Sequence, residues 1–91
     1  MNNDNLKLIL YSKPGCHLCE GLEEKLDQII GLAFELEIRD ITTQQEWMNA
    51  YQYEIPVLFC ISPGADTAIA IPRFSPRAPI AQVERVLRRY I

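Results

Sequence analysis

Two cysteines separated by two residues, Cys16-His17-Leu18-Cys19, are the groups in this chain best suited to covalent chemistry. A thiolate attacks disulfides, and a second thiol one helical turn away can attack the mixed disulfide that forms. In such a cycle Cys16 is the expected nucleophile and Cys19 the expected resolving thiol. Lys13 and His17 flank the pair, and a positive charge on either favours the thiolate of Cys16. Other uses of the same residues stay open. Structural zinc takes four ligands, usually as two pairs, whereas the chain offers one pair, Cys60 and a single histidine, so no metal site is expected. A dimer that pools thiolates could hold an iron-sulfur cluster, which makes a cluster- or metal-binding module without disulfide reductase activity the alternative function. Plain core packing suits Cys19 better than Cys16, which follows Pro14-Gly15 at an exposed turn.

Which of these applies depends on the elements that carry the pair. Leu6-Lys7-Leu8-Ile9-Leu10-Tyr11 is an apolar run ended by Ser12-Lys13-Pro14-Gly15, as for a buried strand feeding a turn. Leu18, Leu22, Leu26, Ile29 and Ile30 then recur at helical spacing, with Glu20, Glu23, Glu24 and Lys25 on the other face, predicting an amphipathic helix that ends near Gly31. Cys16 therefore falls at a helix N-terminus, where unpaired N–H groups and the positive end of the helix dipole stabilise an anion.

Ala33 to Arg39 alternates apolar and charged residues, predicting a strand with one face in water. Thr43 and Glu46 have the spacing of a capping box for a second helix through about Tyr51. Pro56 precedes the apolar run Val57-Leu58-Phe59-Cys60-Ile61, where proline is tolerated at a strand's first position. Ala68 to Ile71 follows after a turn, completing a hairpin. Ile80, Val83, Val86, Leu87 and Tyr90 mark a final helix. The order βαβαββα predicts an α/β fold, a four-stranded mixed sheet flanked by helices. Cys60 is expected to pack in the core as a small hydrophobe, and Trp47, Tyr51 and Tyr53 to face a core instead of forming a binding platform.

At 91 residues and 48% hydrophobic content, the chain has material for one core, so a single domain spanning 1–91 is expected. A net charge of −3 argues against nucleic acid as a partner. The polar start Met1-Asn2-Asn3-Asp4-Asn5 lacks the organisation of a secretory signal, and no apolar run approaches the roughly 18 residues of a span. A cytoplasmic protein without a membrane partner is the expectation, and three cysteines in this spacing do not make a disulfide-stapled secreted domain.

The segment Tyr11-Ser12-Lys13-Pro14-Gly15-Cys16-His17-Leu18-Cys19 resembles the active-site segment of the glutaredoxins, and Ile55-Pro56-Val57 resembles their cis-proline loop. The element order from Leu6 to Tyr90 is similar to that family too, in particular to small bacterial and plastid glutaredoxin-like proteins with a Pro-Gly-Cys-His-Leu-Cys segment. The resemblance implies a thioredoxin-like fold and a thiol-disulfide oxidoreductase of cell redox homeostasis. It implies disulfide-containing protein or small-molecule substrates, and glutathione or a reductase as electron donor. No bound cofactor is implied, glutathione being at most a co-substrate, and a monomer is expected. By the same resemblance the first cysteine is the nucleophile, Lys13 assists its thiolate, and Ile55 with Pro56 binds substrate backbone. The chain departs from the glutaredoxin pattern in three places. It reads Glu54-Ile55-Pro56 in place of Thr-Val-Pro, and Ile71-Pro72-Arg73-Phe74-Ser75 in place of the Gly-Gly-x-Asp segment that holds glutathione. Leu18 replaces an aromatic residue, and Glu54 adds a negative charge for which Arg73 and Arg77 are the candidate compensating cations.

Overall fold

A computed structural model describes residues 5–91; the N-terminal reading of Met1 to Asp4 lies outside the described residues. The first strand, β1 (Leu6–Ser12), sits at the middle of a four-stranded sheet of order β2-β1-β3-β4. Its neighbours are β2 (Phe34–Asp40), which is parallel to it, and β3 (Val57–Ile61), which is antiparallel. The short β4 (Ile69–Ala70) closes the antiparallel hairpin with β3. Three α-helices, α1 (His17–Asp27), α2 (Gln45–Tyr51) and α3 (Ile80–Leu87), complete the predicted βαβαββα order.

β1 is apolar from Leu8 to Tyr11, with only Lys7 and Ser12 polar, because both of its faces are covered. Leu6, Leu8 and Leu10 point with Leu58 and Cys60 into a core closed by Leu26 of α1 and by Val83 and Leu87 of α3. Ile9 and Tyr11 point the other way, toward Ile41 and the half-buried Trp47, Met48 and Tyr51 at α2. Tyr11 stacks there at 4.4 Å from Tyr51 and meets Trp47 edge-on at 5.6 Å. Trp47 and Tyr51 are core residues as expected, whereas Tyr53 is exposed. Among the described residues no helix is long and apolar enough to cross a membrane.

Three local expectations are corrected. α1 stops at Asp27 and not near Gly31: Gln28 is its C-cap, Ile29 packs into the core from the following loop, and Ile30 is 97% exposed. The apolar spacing runs past the helix because a loop residue can fill the core as well. The capping box does not form. Asp40 caps a 3-10 turn over Ile41–Thr43, and the Thr43 hydroxyl donates to the Asp40 carbonyl (2.7 Å), which leaves Gln44 to precede α2 without a side-chain cap. The charged face of β2 is not simply in water either. Arg39 pairs with Glu37, donates to the Tyr11 hydroxyl (2.9 Å) and lies over the Tyr11 and Trp47 rings.

Candidate active site

Lys13-Pro14-Gly15-Cys16 turns the chain from β1 into α1. The Cys16 N–H donates to the Lys13 carbonyl (3.1 Å), Pro14 occupies the position a turn pre-sets, and Gly15 takes φ +82°, a conformation that favours glycine. Cys16 is then the N-cap of α1: its carbonyl accepts from the Glu20 N–H (3.0 Å), and its sulfur accepts from the Cys19 N–H (3.2 Å). This is the role that a serine or aspartate oxygen plays at other helix starts.

Cys16 and Cys19 are joined as a disulfide with Cα atoms 5.3 Å apart. Their environments differ. Cys16 is half-buried at the surface, whereas Cys19 is 2% exposed beneath it. The third cysteine is elsewhere: Cys60 is free, fully buried opposite Leu8 in β3, and burial pushes its thiol up. Among the described residues no three His, Cys, Asp or Glu side chains are grouped as a metal site within one chain would require.

The flanking cations are placed less decisively than the sulfurs. Lys13 is exposed, and the contact it makes to Cys16 is through its backbone carbonyl. The His17 side chain is 94% exposed, and its Nδ1 lies 3.8 Å from the Glu20 carboxylate.

Ile55-Pro56 is a cis peptide bond, and Pro56 shares one cavity with His17 and Leu18 of the cysteine segment. Two motifs far apart in sequence thus come together at one surface. The cavity holds about 320 Å³ and is lined further by Gly21, Leu22 and Lys25 of α1, by Glu54, and by the irregular segment from Ile71 to Pro76. The backbone of Ile55 is already engaged within the chain: its N–H donates to the Tyr51 carbonyl (3.0 Å) and its carbonyl accepts from Arg73 (3.3 Å). Arg73 also donates to the Glu54 carbonyl (2.9 Å) and so ties the far wall to the proline loop. Lys25 does the same from α1, donating to the Pro76 carbonyl (2.7 Å). The roles of Gly21 and Lys25 in this wall were not foreseen from sequence, although an isolated glycine inside a helical pattern is a signal of its own.

A family profile described as "Glutaredoxin-like domain (DUF836)" matches residues 7–88. The chain belongs to this glutaredoxin-like family. A protein from X. campestris, solved as a structural genomics target, is 29% identical, with 86% of this chain and 96% of that one covered and a TM-score of 0.53. Chloroplastic thioredoxin z is 18% identical over 97% of this chain and 80% of its own, with a TM-score of 0.63. A thioredoxin from Thermus thermophilus is 17% identical over 93% and 72%, with a TM-score of 0.57. The last two share the fold. No curated protein matches the chain. For this glutaredoxin-like protein, family membership and the Cys16–Cys19 disulfide at a helix start together support thiol-disulfide oxidoreductase activity.

Proposed function

We propose that the protein reduces disulfides by a dithiol cycle in which Cys16 is the nucleophile and Cys19 the resolving thiol. One observation carries the assignment: the more accessible sulfur is the one at the helix N-cap, facing a backbone N–H, while the other is buried one turn below. Reduced Cys16 as a thiolate keeps that N–H as a charge-assisted donor and gains from the helix dipole. It attacks one sulfur of a substrate disulfide and expels the other as a thiolate. Cys19, giving up its proton, attacks the Cys16 sulfur, releases the substrate's second thiolate and closes the Cys16–Cys19 disulfide. Two electrons pass from protein to substrate, and an external thiol, glutathione or the dithiol of a reductase, restores the protein.

In this reading Lys13 and His17 add positive potential beside Cys16, and Ile55 with Pro56 forms the loop against which the substrate segment lies. The whole chain acts as one domain and one monomer in the reducing cytoplasm, where a dithiol of this kind is kept ready. The test is disulfide reduction by the wild type and by Cys16→Ser, coupled to glutathione with its reductase and separately to thioredoxin reductase. Turnover with either donor that disappears in Cys16→Ser is expected; turnover that survives the substitution, or its absence with both donors, refutes the assignment.

A further inference from the structure

The cavity, which His17 and Leu18 of the cysteine segment help to line, is walled mainly by carbon, with Leu22, Leu58, Ile71 and Phe74 lining it together with Pro56. Its size of about 320 Å³ falls in the range of clefts that take small organic groups. The charges at its rim do not suit an anion. The lysine and the arginine that line it, Lys25 and Arg73, both donate to carbonyls of the chain itself, and Glu54 contributes a carboxylate. A ligand with carboxylates, such as glutathione, meets cations already engaged and repulsion from Glu54.

Gly21 gives an independent sign. It lies inside α1, where glycine weakens a helix relative to alanine, and its φ is not positive. A Cβ at this position meets no heavy atom within 4 Å. Neither the backbone nor packing demands a glycine there, but Gly21 lines the cavity, and a side chain would take up its space.

We propose that the cavity is a specificity pocket for an apolar side chain of a disulfide-bearing polypeptide, seated next to the cysteine under attack, and that Gly21 keeps it open. This rests on the exchange reaction proposed above and names its substrate class. Because the N–H and carbonyl of Ile55 are engaged internally, side-chain burial, not strand pairing at Ile55, supplies the recognition.

The test uses the reduced, full-length protein with excess mixed disulfides between nitrothiobenzoate and each of three thiols: acetyl-leucyl-cysteine amide, acetyl-glycyl-cysteine amide and glutathione. The Cys16 thiolate attacks the peptide sulfur and expels the coloured aryl thiolate; Cys19 then releases the peptide thiolate and closes the protein disulfide. The second-order rate constant for the leucyl probe is expected to exceed that for the glycyl probe by about tenfold or more, the lower end of what burying a leucine side chain confers, with glutathione slowest. In Gly21→Leu the leucyl-to-glycyl ratio falls toward one, and Gly21→Ala, which adds only a methyl group, gives a ratio between the two. A ratio near one in the wild type, a glutathione probe faster than the leucyl probe, or an undiminished ratio in Gly21→Leu each overturns the pocket while Cys16-dependent release persists. Release that is as fast in Cys16→Ser sinks the exchange reaction itself, and the pocket with it.

Discussion

Replacing Gly21 with alanine should make the protein more stable, an uncommon direction for a substitution beside an active site. The residue is the fifth of the eleven in α1, so its backbone is helical in the folded state and free in the unfolded chain. Host measurements put glycine about 0.8–1.0 kcal/mol below alanine in a helix interior. No opposing steric cost arises, because the added Cβ has open space around it. For a domain of this size each kcal/mol moves the melting temperature by about 4–8 °C, so a rise of about 3–8 °C is expected. Thermal unfolding followed by far-ultraviolet circular dichroism, on both proteins in the oxidised state, measures it. A fall, or no change, would show that the space at residue 21 is not open and would remove one of the two supports of the pocket.

The division of labour between the sulfurs is checked by mass spectrometry: Cys19→Ser should accumulate a mixed disulfide with substrate at Cys16, and Cys16→Ser should not. Cys60 should resist iodoacetamide in the folded, reduced protein and react once urea exposes it, since burial both shields the thiol and, by pushing its pKa up, keeps it from ionising; labelling of Cys60 in the native state at the rate of Cys16 refutes that. Glu37 is held below its ordinary 4.5 by hydrogen bonds from Arg39 and then Lys7. Its contribution to stability is therefore fully present above pH 4.5 and lost as pH falls through its lowered folded-state value. The stability difference between wild type and Glu37→Gln in urea titrations should shrink over that acid range, and a difference that grows toward low pH contradicts the ion pair.

Much of this site was legible in the chain because its logic is local. An apolar run, a Pro-Gly turn and a cysteine pair ahead of helical periodicity suffice to put Cys16 at a helix start, and Pro56 before an apolar run marks where β3 begins. What escaped was set by competition or by distance. Thr43 satisfies Asp40 in preference to its own helix, a choice that spacing alone does not decide. Leu18 continues the apolar stripe of α1 yet stays exposed, because the wall it belongs to borders the cavity and not the core. The cavity itself is joined by Lys25 to Pro76 and by Arg73 to Glu54, contacts between segments whose meeting only the fold determines. Gly21 was readable as an oddity, but its use depends on what lies opposite.

The cysteine turn hangs from β1, which is hydrogen-bonded along both of its edges, whereas the opposite wall of the cavity, from Ile71 to Pro76, is irregular and held by side-chain ties from Lys25 and Arg73. The two halves of the job can therefore diverge independently. Substitutions in that outer segment can reshape which partners are accepted while the electron-transfer couple, fixed to the innermost strand, stays as it is. One scaffold of this kind can serve different clients at a constant redox potential.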